Sequence, residues 1–266
     1  MKKFVAMLLV LTMVLAFTAC AKTEAAPAAT EAATEAATEA ATEAATEAPV
    51  AETEAAVAET EAAAVAMTHE EYIAAELDSA VVIETYVQGT QSWWDNKITV
   101  YCQSEDGAYF LYELACSEED AAKLVPGAKI LVNGYKGEWA GEVEVMDGTF
   151  EFVEDGETFI AEALDVTELL GTEELIAHQN EVVAVKGLTV EAINYKNDEP
   201  GDDIYVTLGY NGASYDFCVE RYLTGPETEV YETVGTLEAG QTVDVVGFLY
   251  WYEGPNAHIT SVSVVG

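Results

Sequence analysis

Apolar and polar residues alternate with a period of two along most of the last two hundred residues, and the alternating runs come in the same order twice. Val81, Ile83, Thr85 and Val87 share one face of a first run, and Val183, Val185 and Gly187 share one face of its counterpart. That period marks a strand buried on one side. Next, Ile98, Val100 and Cys102 lead through Ser104-Glu105-Asp106-Gly107 into Phe110, Tyr112 and Leu114, while Ile204, Val206 and Leu208 lead through Asn211-Gly212 into Tyr215, Phe217 and Val219. Asp-Gly and Asn-Gly between alternating runs are hairpin signals, because these residues tolerate the positive φ of a tight turn. A short helical connection follows, Ser117–Leu124 in the first copy and Glu227–Leu237 in the second, then a fourth strand and a fifth, Glu142–Met146 or Ala257–Val264. Superposing PGAKILVNGYKGEW (Pro126–Trp139) on AGQTVDVVGFLYWY (Ala239–Tyr252) keeps Gly127 in step with Gly240 and Gly134 with Gly247. Each copy also opens on a helical segment: Thr68-His69-Glu70-Glu71 has a capping-box pattern before Tyr72, and Thr172-Glu173-Glu174 precedes Leu175 and Ile176.

Strand, hairpin, helix, hairpin is the order of a five-stranded Greek-key barrel. With the small-residue turn and alternating apolar run of GAKILVNGY and GQTVDVVGF, both copies resemble the oligonucleotide/oligosaccharide-binding fold, the OB-fold, over roughly Ser79–Val153 and Asn180–Val265. The expected fold is all-β with short helices, two tandem five-stranded OB-like barrels after a disordered tether. One continuous β-sandwich is the competing architecture. Copy one carries an extra piece, Gly148–Phe152 and then Glu157–Asp165, expected to extend its barrel as a strand or hairpin.

The first 67 residues have no such pattern. Two lysines, the apolar run Val5–Phe17 and Phe17-Thr18-Ala19-Cys20 form a secretory signal too short to span a bilayer. Its end resembles the bacterial lipobox, with Phe17 in place of the usual Leu, which makes Cys20 the lipidated first residue of the mature chain. Acyl chains on that cysteine imply stable attachment to the extracellular face of the cell membrane. Ala, Thr and Glu then repeat as TEAA from Thr30 to Glu47 and more loosely to about Ala66, with too little apolar bulk to fold. The expected domains are therefore a signal peptide (1–19), a lipidated tether (20–67) and two OB-like domains (68–165 and 166–266). Tether and paired copies together resemble surface lipoproteins of gut Firmicutes.

Charge and aromatic placement bear on the partners. The chain carries a formal charge of −39, and residues 68–266, with seven basic and 39 acidic residues, still carry −32. Phosphate contact uses basic groups that replace condensed counterions, so nucleic acid is disfavoured. All four tryptophans lie where the OB resemblance implies ligand-facing loops: Trp93 and Trp94 after the first strand, Trp139 and Trp251 between the fourth and fifth. Tyr195 occupies the matching first loop of copy two, and Tyr250 and Tyr252 flank Trp251. Aromatic faces with a polar rim can stack on sugars or peptide side chains, and the same residues can equally cap the barrels or join them. The expected function is a non-catalytic recognition head for a neutral glycan or peptide; the alternative is a structural lipoprotein that engages an envelope protein and binds no small ligand.

Catalytic and metal-binding chemistry have little support in these residues. His69, His178 and His258 are isolated, with no paired ligands at metal spacing and no Gly-x-Ser-x-Gly elbow. No cofactor or metal is expected, although Asn197–Asp203 is acidic enough to meet calcium weakly. A hydrolase would need two facing carboxylates, which no spacing singles out. Cys102, Cys116 and Cys218 are odd in number and read as small apolar filler, with Cys102 placed opposite Tyr109 and far from Cys116.

Overall fold

The duplicated pattern folds into two barrels. A computed structural model describes residues 65–265, which fall within one compact unit. The signal peptide, Cys20 and the tether expected from the sequence lie outside the described residues, except for residues 65–67, of which Met67 pairs with Ile83 against the first barrel. The capping box at Thr68 forms as read, with the Thr68 hydroxyl accepting from Glu71 N and the Glu71 carboxylate accepting from Thr68 N, and it starts α1 (His69–Ala74). The first barrel then comprises β1 (Ala80–Thr90), β2 (Lys97–Ser104), β3 (Gly107–Ala115), β4 (Lys129–Trp139) and β5 (Glu142–Phe152), with α2 (Glu118–Ala121) between β3 and β4. It closes in the order β1-β2-β3-β5-β4, β3 and β5 running parallel. Val81, Ile83, Val100, Leu111, Ile130, Val132 and Val145 fill its interior.

Residues β6 (Leu164–Asp165) add a short parallel strand to β7 (Val182–Tyr195) of the second barrel. That barrel continues through β8 (Ile204–Tyr210), β9 (Ala213–Val219), α3 (Arg221–Thr224), α4 (Glu229–Gly235), β10 (Thr242–Phe248) and β11 (His258–Val265). Its sheet runs β10-β11-β9-β8-β7-β6, and β10 also pairs with β7, so the sheet returns on itself around Val183, Leu188, Ile204, Leu208, Phe217 and Val243. Both halves therefore have OB-fold topology, and the continuous sandwich is set aside.

Equivalent backbone bonds make the repeat a geometric one. Gly127 N donates to Val87 O and Val87 N to Ala128 O, while Gly240 N donates to Val190 O and Val190 N to Gln241 O, all between 2.8 and 2.9 Å. Gly127 and Gly240 reach these positions with φ of +89° and +91°, a region that glycine enters without a Cβ clash.

Two sequence expectations change. The extra piece of copy one divides: Gly148–Phe152 simply continues β5, and residues 153–163 form no strand or hairpin but run over the barrel surface. Lys129, buried at its stem, fastens them with 2.6 and 2.8 Å ion pairs to Asp155 and Glu157 besides one to Glu84. In the first hairpin Cys102 does pair with Tyr109, so Tyr109 and Leu111 face the core and Phe110 and Tyr112 point outward. A bulge in the β2–β3 ladder, with Glu113 at φ +48°, turns Leu114 back inside. The three cysteines are buried and unbridged.

Candidate functional site

The outward parity of β2, β3 and β5 builds one wall of a cleft. Tyr101 stands opposite Phe110 in the antiparallel ladder, and Phe110 opposite Glu144 in the parallel one, so the three form a row across the outside of the first barrel. Tyr101 and Phe110 pack against the second barrel: Tyr101 stacks on Phe248 at 4.4 Å between ring centroids, and Phe110 meets Tyr250 edge-on at 5.1 Å. Glu144, the next in the row, faces the space beyond this contact. The other wall is the outward face of the β8–β9 hairpin, where Tyr205 pairs with Cys218 and Thr207 with Asp216. Between the walls lies a cleft of about 930 Å³, also lined by Tyr112, Trp139, Asp203, Glu220, Tyr250, Tyr252 and His258. That volume is in the range that accepts a small organic ligand.

The charges of this cleft are all of one sign. Glu144 is only 6% exposed, lines the cleft and has no hydrogen-bond or ion-pair partner among the described residues. Burial pushes its carboxyl up to about 7. Glu220 is likewise raised to about 7, by burial first and then by Asp203, although its carboxylate accepts from Leu223 N at the start of α3. Asp203 is ion-paired to Lys196 at 2.8 Å, and Asp216 accepts from the Thr207 hydroxyl at 2.7 Å. No Lys or Arg lines the cleft. His258, on its floor, is stacked under Tyr250 at 4.3 Å, and burial lowers its pKa to about 4. The imidazole is thus neutral at physiological pH. Gln91 donates to the Tyr101 hydroxyl at 3.2 Å, which leaves that hydroxyl to donate to His258 Nδ1, 2.6 Å away.

Glu142, two residues before Glu144, ties the barrels together below the cleft. It is fully buried, and its Oε2 accepts from Trp251 N at 2.8 Å and Gln179 Nε2 at 3.1 Å. Its other oxygen, the Asn180 carbonyl oxygen and the Tyr72 hydroxyl are buried without partners.

The aromatic residues expected to bind a ligand separate into groups. Trp139, Tyr250 and Tyr252 line the cleft, with Trp139 62% exposed at the end of β4. Trp93 packs on the first core and donates to Cys116 O at 2.8 Å. Trp94 is 58% exposed and does not line the cleft. Tyr195 and Trp251 pack against the second core, and Trp251 lies over Gly141. Glu144, Phe110, Tyr112 and the β8–β9 acids escaped the sequence reading. For Phe110 and Tyr112 the signal was the unbroken apolar run Ala108–Tyr112, too apolar for a strand with a solvated face. The acidic Asn197–Asp203 loop is held by the Lys196–Asp203 ion pair and by Arg221 N donating to Asp203. No group of three or more His, Cys, Asp or Glu side chains able to hold a metal ion occurs among the described residues.

Fold and cleft together define a tandem OB-fold protein with a ligand-sized cleft between its barrels. No protein-family model matches the chain, and no curated protein does. Among solved structures it is similar to a murine DNA-binding protein bound with double-stranded DNA, at 12% identity over 69% of this chain and 95% of that one, with a TM-score of 0.34. It is similar to the p204 HINb domain at 12% identity, over 72% of this chain and 100% of that one, with a TM-score of 0.34. A replication protein A heterotrimer bound to single-stranded DNA matches at 12% identity over 70% of this chain and 48% of that one, with a TM-score of 0.29.

These neighbours correct the expected partners. A neutral glycan, a peptide or an envelope protein was expected and nucleic acid disfavoured on charge, whereas two of the three similar chains are described with bound DNA. The physical fault lies in using net charge as the criterion: it bounds contact with phosphates, but bases also bind by stacking on aromatic faces, which needs no positive charge.

Proposed function

We propose that the two-barrel unit is a binding protein, not an enzyme, and that its cleft takes a positively charged organic ligand. The carrying observation is Glu144: a residue only 6% exposed whose carboxylate has no hydrogen-bond or ion-pair partner among the described residues, in a cleft lined by aromatic rings and by no basic side chain. An unpaired buried carboxylate is costly, and a cation that replaces its lost water is the species it favours. Phe110, Tyr112, Tyr250 and Trp139 line the same cleft, and an ammonium group over the face of such a ring gains about 0.5–2 kcal/mol per contact. We further propose, from the lipobox-like sequence and TEAA tract, that a lipid on Cys20 holds this unit at the outer face of a membrane. Palmitate labelling that a Cys20→Ser chain loses is the expected result.

A second reading, single-stranded nucleic acid, is favoured by the exposed rings of Trp139, Tyr112 and Tyr252, which form a stacking surface at the cleft mouth. One calorimetric titration separates the two. The full chain is titrated with phenylalkyl- and alkylammonium ions and with a mixed-sequence 12-nucleotide DNA at about 0.15 M salt. Saturable cation binding lost in Glu144→Gln supports the first reading. Saturable oligonucleotide binding lost in Trp139→Ala, with cations silent, replaces it with the second.

A further inference from the structure

We infer that the ligand is a linear diamine or polyamine, one ammonium group held by Glu144 on the first barrel and another by Glu220 and Asp216 on the second. This rests on the cation reading above and narrows it. The cleft has two anionic poles on its two walls, Glu144 on β5 and Asp216 and Glu220 on and just after β9, and the rings of Phe110 and Tyr250 line the same cleft. The two poles sit on different strands of different barrels, Glu144 opposite Phe110 in the β3–β5 ladder and Asp216 opposite Thr207 in the β8–β9 ladder. Neither Glu144, Glu220 nor Asp216 is ion-paired to a basic side chain among the described residues. A single ammonium satisfies one pole and leaves the other uncompensated. A polymethylene chain with an ammonium at each end satisfies both, and its methylenes cover the apolar rings that line the cleft. At about 930 Å³ the cleft also exceeds what one small monoamine fills.

The test compares butylamine, 1,4-diaminobutane, 1,8-diaminooctane, spermidine and magnesium chloride by calorimetry on the full chain. Salt is kept at about 0.15 M, where a Debye length of about 8 Å screens the general attraction of a chain of charge −39. At least one diamine or spermidine is expected to bind roughly tenfold tighter than butylamine or magnesium. Glu144→Gln and Glu220→Gln are each expected to erase that difference. Gln at 220 retains an oxygen for Leu223 N, and Asp216→Asn, which leaves the start of α3 untouched, repeats the test on the same wall. Circular dichroism confirms that each variant is folded. If butylamine binds as tightly as every diamine and still depends on Glu144, the polyamine inference fails while the cation reading stands. Magnesium binding that matches the diamines also overturns it, since charge alone would then suffice. If no organic cation binds, both fall together.

Discussion

Glu142 shows how one side chain sets the pH response of the molecule. It is fully buried between the barrels and ionises only at about 8, because burial disfavours the charge more than the bonds from Trp251 N and Gln179 support it. An acid raised in the folded state binds its proton more tightly there than in the unfolded chain, where it titrates near 4.5. Between those two values folding takes up a proton, so stability falls as pH rises from about 4.5 through about 8. Glu142→Gln removes that titration, keeps an oxygen for Trp251 N and brings an amide donor within reach of the unpartnered Asn180 oxygen. Urea unfolding is expected to find the variant more stable than the wild type at pH 9, by on the order of a few kcal/mol, with little difference at pH 5. A wild type that is the more stable at pH 9 would show that the charge is compensated. His258 works in the opposite sense: its folded pKa is lowered to about 4, so its contribution is intact above about 6.5 and is lost as pH falls through that interval.

At the scale of elements, the in-step glycines have two different jobs. Gly240 sits at positive φ, as Gly127 does, and unlike Gly127 has open space beside it, so Gly240→Ala meets backbone strain but no neighbour. Gly247 has ordinary φ, but β11 crosses so closely at the β10–β11 bulge that a Cβ there would overlap the backbone carbonyl of His258. Backbone cannot step aside as a side-chain tip can. Gly240→Ala is expected to cost about 1 kcal/mol, and Gly247→Ala more than about 3 kcal/mol or the fold itself. Thermal denaturation of the pair checks the ranking, and equal midpoints would contradict it. Strands, hairpin turns and this glycine register were legible in the sequence because each is local, a period of two closed by Asn-Gly or Asp-Gly. The parity of β3 was less so. Phe110, Tyr112 and Leu114 read as one alternating face, yet the bulge at Glu113 moves Leu114 to the core and leaves the two aromatics outside. Residues 153–163 misled for another reason: Lys129 and Gln88 hold them to the barrel by side-chain bonds, which leave no trace in an alternation pattern.

The cleft belongs to the whole molecule, since neither barrel contains it alone, and that is why the sequence showed only part of it. Trp139, Tyr250 and Tyr252 stood out as loop aromatics, but Glu144 was one acid among 39, and nothing in the sequence marks it as buried in a cleft. Docking rests on the rings of Tyr101, Phe110 and Phe248, with Val182, Leu223 and Tyr250 around them, and on cross-barrel bonds that include Val182 N to Gln103 Oε1, Trp251 N and Gln179 Nε2 to Glu142, Ser92 N to Tyr222 O and Glu253 N to Ala140 O. Phe248 is central, stacked on Tyr101 at the end of β10 and outside both barrel cores. Truncating a buried phenylalanine costs about 3–5 kcal/mol, and at this position the loss falls on the contact between barrels. Phe248→Ala is therefore expected to keep its far-UV circular dichroism, to enlarge the radius of gyration in small-angle scattering, and to lose ligand binding in the cleft by tenfold or more. Because Glu144 and Glu220 both remain in that variant, the loss would come from their separation and not from missing charge. A folded Phe248→Ala chain that binds as tightly as the wild type would mean that one wall suffices, and the site would then belong to a single barrel.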